Sequence, residues 1–205
     1  MADAVDARAI AQAGSVALGE IEIARAWNVR GNPVDAPFAS EVQRVLGLPL
    51  PVAPMTSACD EHRALLWLGP RSWLWVAGAP ATRDDFDDTR RAINAAGGAL
   101  FDVSASYAAW TISGAMAARM LNRGCPLDFH PDAFRTGQCA QSLLGHINAL
   151  FYRPGEAGTF IVIVARSFAA DAWHVLCASA RSEGYRIAPR RAFGAFTPRA
   201  PRKKT

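Results

Sequence analysis

Short turns between pairs of apolar segments constrain the fold of this chain more than any other feature. Residues 64–68 and 73–77 flank the turn-forming run 69–72, and residues 147–152 and 159–165 are separated by a short segment that contains a Pro-Gly pair. A parallel connection between two strands needs about a dozen residues or more. Both pairs are therefore predicted to be antiparallel, and the chain is predicted to be α+β, with mixed or antiparallel sheets and packed helices.

Segments with an apolar stripe at helical spacing lie between these strands. The predicted helices are 37–46, 82–96, 115–123 and 167–183. Thr82 is predicted to cap the second helix, with Asp85 three residues later in the capping-box relation. Gly47, Gly97 and Gly184 are predicted to end three of the helices, because glycine readily adopts the left-handed conformation found at helix C-termini.

Residues 21–29 show the period-two pattern of one half-buried strand. Ile21, Ile23, Trp27 and Val29 are apolar, and several of the intervening residues are polar. Side chains two apart in a strand share a face. We therefore expect a single strand here, with one side against the core.

The chain is predicted to form one compact two-lobed domain, residues 15–188, between flexible ends. Residues 1–14 have little apolar periodicity and are expected to form a flexible N-terminus. The longest apolar run, residues 159–165, is far shorter than the roughly 20 residues that cross a bilayer, so no membrane contact is expected. The N-terminus carries acids and no apolar stretch of the kind found in secretory signals, so a cytoplasmic location is expected.

The net charge of +4 is concentrated at the C-terminus. Residues 189–205 contain six basic residues and no acidic residue, which leaves the rest of the chain near −2. The folded part is therefore not a basic nucleic-acid platform, and no nucleic-acid partner is expected. This segment is predicted to be a basic disordered tail, which either raises solubility or lies on an acidic surface of a partner.

No pattern of residues in the chain predicts an active site, a cofactor site or a metal site. The four cysteines include no Cys-x-x-Cys pair, and the cysteine and histidine spacings match no common structural zinc pattern. The nucleophile-elbow, dinucleotide-binding and P-loop motifs are absent from the sequence. We therefore predict reduced thiols and no catalytic, cofactor-binding or metal-binding residues in this chain.

Residues 123–141 form a block whose glycines and prolines define a shaped connector. A glycine and a proline end the preceding helix, and another pair allows a turn and a reversal into the next strand. Asp128 and His130 lie two apart within the block, where they either lock the loop through local hydrogen bonds or anchor a partner. Arg123 and Gln141, at the two ends of the block, are candidates for the same two roles.

Trp67, Trp73 and Trp75 cluster on the hairpin formed by residues 64–77. They either fill the core or anchor a protein interface, and the hairpin is either covered by helices or docked on another protein. Asp102 follows a predicted strand, and its carboxylate is expected to accept a backbone hydrogen bond from Ser104 in an Asx-turn, in preference to binding a ligand.

The order and spacing of several short motifs resemble the gamma subunit family of bacterial heterotetrameric sarcosine oxidase, which is related to the folate-binding fold of the T-protein aminomethyltransferase. The motifs are Arg30-Gly31 and residues 45–49, 68–75, 102–104, 112–114, 123–141 and 160–173. The resemblance covers most of the chain. It implies a T-protein-like fold and a structural, non-catalytic subunit.

The resemblance also implies what the partner subunits do. The complex would demethylate sarcosine oxidatively to glycine, with formation of hydrogen peroxide and of formaldehyde or methylene-tetrahydrofolate. FAD, FMN, NAD and tetrahydrofolate are expected in the partners, with none bound by this chain. The alpha subunit is the expected direct partner, and beta and delta are expected in the same complex.

The folate-using relatives are expected to carry an acidic pair about where this chain has Asn148 and Ala149. An amide and a methyl group cannot replace the charge of a carboxylate, so the chemistry of those enzymes is expected to be lost. His146 is a less favoured replacement base. The alternatives that stay open are a stand-alone folate-dependent aminomethyltransferase-like protein and a gamma-type subunit of a related N-methyl amino acid oxidase or dehydrogenase.

Overall fold

Two β-sheets pack face to face, and helices cover the outer side of each sheet. The computed structural model describes residues 15–78 and 83–194. The strands are β1 Val16–Glu22, β2 Arg25–Arg30, β3 Ser57–Cys59, β4 Arg63–Gly69, β5 Ser72–Ala77, β6 Ala99–Asp102, β7 Tyr107–Ser113, β8 Cys139–Leu144, β9 Ile147–Tyr152, β10 Thr159–Ala165 and β11 Tyr185–Ala192. The helices are α1 Ala36–Leu46, α2 Arg83–Ala95, α3 Ala117–Gly124 and α4 Ala169–Ala180.

The two sheets differ in size and in strand direction. The six-stranded sheet has the order β11-β1-β7-β10-β9-β8, and the five-stranded sheet has the order β3-β4-β5-β2-β6. All neighbouring strands are antiparallel except β1 and β11, which are parallel. The predicted α+β class with mixed and antiparallel sheets is confirmed. Both predicted antiparallel pairs, β4 with β5 and β9 with β10, are also confirmed.

Apolar side chains form three cores, because both faces of each sheet are covered. In β10, Phe160 and Val162 point to the core under α3 and α4, whereas Ile161 and Ile163 point to the core between the sheets. A strand buried on both faces reads as a continuous apolar run, and this explains the run at residues 159–165. The third core lies between the five-stranded sheet and helices α1 and α2.

The prediction of one strand over residues 21–29 is wrong, because the chain changes sheets within this segment. β1 ends at Glu22 in the six-stranded sheet, and β2 starts at Arg25 in the five-stranded sheet. Ile21 packs between the sheets, whereas Trp27 packs under α1 and α2. The alternation of apolar and polar residues continues where the chain passes from one sheet to the other, and no proline or glycine lies there. The sequence pattern therefore does not show that two strands are present.

The prediction of a disordered tail from residue 189 is corrected by β11, which reaches Ala192 and pairs with β1 in parallel. Two of the basic side chains in β11, those of Arg190 and Arg191, have acidic partners. Arg190 lies 3.8 Å from the Glu20 carboxylate and 3.5 Å from that of Glu22. Edge strands commonly carry charged residues and prolines, and the apolar pattern that reveals a strand is therefore weak in β11. Residues 195–205 and the predicted flexible residues 1–14 lie outside the described residues.

Helix α1 ends as the sequence predicts and carries the side chain that fixes its position. Gly47 follows the helix in the left-handed region, with φ at 73°. Phe38 is fully buried, and its ring lies between two glycines. A Cβ atom added at Gly31 or at Gly98 would lie 2.4 Å from a carbon of this ring. The predicted cap of the next helix, Thr82, lies outside the described residues.

We predict that Gly31→Ala and Gly98→Ala each lower the free energy of unfolding by about 1–3 kcal/mol, because the added methyl group overlaps the Phe38 ring. The measurement is thermal or urea unfolding followed by circular dichroism. Gly69→Ala is the matched control, since no atom lies within 4 Å of its added Cβ. The double variant Gly31→Ala/Phe38→Leu should be destabilised by less than the sum of its single changes. Equal stability of the Gly31 and Gly69 variants would contradict this account.

Candidate functional site

A cleft of about 460 Å³ lies between the two sheets. Its lining residues are Leu68, Leu74, Tyr107, Gln141, Ser142, Leu143, Asn148, Ala149, Leu150, Ile163, Val164 and Ala165. Most of these side chains are apolar, and none of them is a carboxylate, a lysine, an arginine or a histidine. Burial raises the pKa of Tyr107, so this phenol is neutral at physiological pH. The cleft therefore accepts an apolar group and offers no ionised side chain to a substrate.

Both positions where an acidic pair was expected in folate-using relatives border this cleft, with Asn148 on the cleft face of β9 and the Ala149 side chain turned to the core under α3 and α4. Asn148 and Ala149 are near the start of β9, where they pair with Leu143 and Ser142 of β8. His146 lies at the exposed turn between the two strands, outside the cleft lining. General acid-base catalysis requires a titratable group within hydrogen-bond reach of the substrate. The cleft lining lacks such a group with a pKa near neutrality.

The connector block is fixed by local hydrogen bonds and by buried aromatic rings. The backbone N–H of His130 donates to Asp128 Oδ1 at 2.8 Å, which is the loop-locking interaction that the sequence suggested. Phe129 is fully buried, and its ring centre lies 5.5 Å from those of Phe134 and Phe160. The side chains of Asp128 and His130 are exposed, so their role as partner anchors stays a prediction.

Arg123 joins α3 to the segment that follows α4. Its guanidinium donates to the Glu183 carboxylate at 2.6 Å and to the Ser182 hydroxyl. Glu183 is the more buried partner, with a side chain that is 11% exposed. This contact fixes the end of α3 against the segment after α4, and a role of Arg123 in contacting a partner stays a prediction.

Asp128 and His130 also border a second cavity, of about 620 Å³. Arg119 and Arg153 contribute cationic side chains to it. The Arg153 guanidinium lies 5.5 Å from the centre of the Phe160 ring and donates to the Phe134 carbonyl. Sequence analysis did not place the two arginines here, because they lie on separate elements and no spacing pattern connects them.

The interface role suggested for Trp73 and Trp75 is wrong, because this chain buries both. Trp73 is fully buried, and its indole Nε1–H donates to the Pro51 carbonyl at 2.7 Å. Trp75 stacks on Trp27 with 4.6 Å between ring centres. Helices α1 and α2 cover this face of the hairpin. Trp67 is half-buried, and it is the one member of the predicted trio that stays an interface candidate.

Asp102 and Gln141 each make a hydrogen bond that fixes local structure. Asp102 Oδ1 accepts from the Ser104 backbone N–H at 2.9 Å, as predicted for an Asx-turn. Gln141 Nε2 donates to the Leu68 carbonyl at 2.7 Å and so connects β8 to β4 across the two sheets. Both residues are exposed, and their role in contacting a partner stays a prediction.

A third cavity, of about 460 Å³, is lined by arginines, tryptophans and two aspartates, Asp85 and Asp88, and the sequence did not predict it. The Arg25 guanidinium lies 5.7 Å and 5.5 Å from the ring centres of Trp27 and Trp75. Arg44 and Arg63 also line the cavity. The three arginines are 19 residues apart in each step of the sequence, and such regular but long spacing carries no recognised signal for a shared site.

The cysteines are free thiols and differ in burial. Cys59 is exposed, whereas Cys125 and Cys139 are buried. Burial raises the pKa of Cys139 to about 12. Within residues 15–78 and 83–194, no three acidic, histidine or cysteine side chains are grouped as metal ligands, and no helix is long and apolar enough to cross a membrane.

Comparison with known proteins identifies the family. The family model described as sarcosine oxidase, gamma subunit family, matches residues 30–182. This chain belongs to that family. It is 34% identical over 160 residues to the sarcosine oxidase subunit gamma of Corynebacterium sp. (strain P-1), covering 76% of this chain and 77% of the relative. It is 33% identical over 160 residues to that of Arthrobacter sp., with the same coverage.

Solved structures support the gamma-family assignment and the fold. A chain of the heterotetrameric sarcosine oxidase from Corynebacterium sp. U-96, in complex with pyrrole 2-carboxylate, matches with a TM-score of 0.77 and 25% identity, covering 85% of this chain and 88% of that chain. The glycine cleavage aminomethyltransferase T of Bartonella henselae matches with a TM-score of 0.60 and 14% identity, covering 89% of this chain and 49% of that one. The predicted family resemblance and the predicted T-protein-like fold are both confirmed.

We predict that Cys59 reacts with a disulfide reagent such as DTNB much faster than Cys139 in the native chain at mildly alkaline pH. The thiolate is the reactive form, and a pKa of about 12 keeps the Cys139 thiol protonated at mildly alkaline pH. The measurement is the time course of thiol release, with labelled sites identified by mass spectrometry. Cys59→Ser should remove the fast phase, and denaturant should make all the remaining thiols reactive. Equal labelling of the two cysteines in the native chain would contradict the structure.

Proposed function

We propose that this gamma-family chain is a non-catalytic structural subunit of a heterotetrameric sarcosine oxidase. The observation that carries the proposal is the uncharged cleft between the sheets. Asn148 and Ala149 occupy the positions where an acidic pair is expected in folate-using relatives, and the cleft lining supplies no other ionised group. A T-protein-like fold without an ionised side chain in its cleft supports a role in assembly.

The chemistry of the complex is assigned to its other subunits. The N-methyl group of sarcosine is oxidised, two electrons pass through flavin to oxygen, and water completes the release of glycine, formaldehyde and hydrogen peroxide. Tetrahydrofolate takes up the one-carbon unit as the methylene form when it is present. FAD, FMN, NAD and tetrahydrofolate are assigned to the alpha and beta subunits, and this chain is assigned to contact alpha directly, with delta in the same complex.

The free cysteines support a cytoplasmic location for the complex. All four of them are unpaired thiols. Disulfides form in oxidising compartments and are rare in the cytosol, where thiols are kept reduced. An exposed thiol such as that of Cys59 suits a reducing compartment.

We predict that the chain purified alone carries no flavin absorption and does not oxidise sarcosine, whereas co-expression with the alpha, beta and delta subunits yields a complex that contains this chain and produces hydrogen peroxide from sarcosine. The measurements are the visible absorption spectrum, a peroxide assay and gel filtration of the tagged chain. A yellow, flavin-loaded single chain, or turnover of any N-methylated amine by it, would overturn the proposal.

We further predict that Asn148→Ala and His146→Ala leave the kcat of the assembled complex within about twofold of the parent value, because the proposal assigns the reacting atoms to the other subunits. The isolated chain should show no heat of binding when it is titrated with tetrahydrofolate. A large loss of kcat in either variant, or saturable folate binding by the single chain, would favour the stand-alone aminomethyltransferase-like alternative. A peroxide assay of the assembled complex with a series of N-methylated amino acids shows whether sarcosine or a related compound is the preferred substrate.

A further inference from the structure

The four sheet edges differ in how well they are protected against pairing with another strand. An edge strand presents unpaired N–H and C=O groups, and proteins commonly protect it with charges, prolines or very short strands. β11 contains Pro189 and three arginines, β6 has four residues and ends at Asp102, and β3 has three residues. β8 has six residues, Cys-Ala-Gln-Ser-Leu-Leu, with no charge and no proline. β8 is therefore the unprotected edge of the described sheets.

Part of the β8 edge is already paired by a segment from elsewhere in this chain. The Cys139 N–H donates to the Met55 carbonyl at 3.0 Å, and Thr56 forms an antiparallel bridge with Gln138. The chain then leaves the edge at Met55, whose φ of 61° is left-handed. The edge thus accepts an extended strand, and the pairing stops where the backbone bends away.

The remaining part of the β8 edge has backbone groups that point outward. Backbone groups in an antiparallel strand alternate between its two sides, and the Cys139 N–H points away from β9. The N–H and C=O groups of Gln141 and Leu143 therefore point outward as well. Within the part of the chain that the structure describes, these four groups have no hydrogen-bond partner.

The side chains beside this free edge are uncharged. Residues two apart share a face of a strand, so Gln141 and Leu143 lie on the same face as Cys139, toward the core between the sheets. Leu143 borders the uncharged cleft and is 41% exposed. An extended segment paired to this edge would place an uncharged side chain beside Leu143 and Leu68, where the cleft has no ionised group to match a charge.

We propose that an extended, uncharged segment of another subunit adds to β8 at Gln141 and Leu143 and inserts an apolar side chain into the cleft. This inference rests on the proposed function, because a heterotetramer supplies a different chain as the occupant. The added segment would extend the antiparallel pairing that Met55 and Thr56 make with the start of this edge. Backbone hydrogen bonds supply affinity in such strand addition, and the cleft supplies specificity.

The test compares Leu143→Asp with Ile187→Asp in the complex co-expressed with its partner subunits. Both residues are large, apolar and exposed on edge strands, with Ile187 at 48% exposure on β11. We expect Leu143→Asp to weaken co-purification with the partners at least about tenfold, because it places a charge in an apolar contact. Ile187→Asp should retain the partners, and both isolated variants should unfold at the temperature of the parent chain.

Hydrogen exchange of the parent complex gives a second measurement that needs no variant. The amides of Gln141 and Leu143 should exchange slowly in the complex, like those of paired strands. Parent-like co-purification of Leu143→Asp, or fast exchange of these two amides, would overturn this inference and leave the proposed function intact. Failure of the parent chain to co-purify would instead overturn the proposed function.

Measurements on the isolated chain test two other occupants of the β8 edge and the cleft. A dimer of this chain that Leu143→Asp dissociates would show that a second copy pairs at β8. Tetrahydrofolate binding that is lost in Leu143→Asp would show that the cleft holds a small molecule. Either result would overturn the proposal of a partner segment.

Discussion

The core between the two sheets is the contact on which the rest of the structure depends. It buries one face of each sheet. The other face of each sheet is also apolar, and a pair of helices buries it. Strands β5 and β10 serve two cores at once by alternation. Trp73 faces the helices while Leu74 faces the opposite sheet. Apolar burial is the dominant favourable term in folding, and here it also fixes the position of the cleft at the border of the central core.

The cleft has an uncharged lining within a T-protein-like fold. The T-protein-like arrangement of strands does not require a carboxylate at Asn148 or Ala149, because the backbone pairing of β8 and β9 is the same for any side chain that suits a strand. Stability and catalysis thus depend on different atoms in the same segment. The proposed role in assembly requires only the first of these.

Several parts of the fold could be predicted from the sequence because their signals are local. The hairpin of β4 and β5, the ends of α1 and the Asx-turn at Asp102 each depend on residues within a few positions of one another. The crossing between β1 and β2 could not be predicted, because alternation continues when a chain passes from one sheet to another. β11 and the charged cavities depend on residues that only the tertiary fold brings together, and the local pattern at Trp73 and Trp75 does not show that two helices cover them.

The pairing of the first described strand with the last has a consequence for synthesis of the chain. β1 lies between β7 and β11, and Ser15 Oγ donates to the Glu183 carbonyl across a separation of 168 residues. Domains are made from the N-terminus onward, and long-range pairing is slow because its closure entropy must be met first. Until residues 185–192 have emerged from the ribosome, the six-stranded sheet is one strand short, with β1 as its open side. β11 therefore closes this sheet only after all of its other strands have been synthesised.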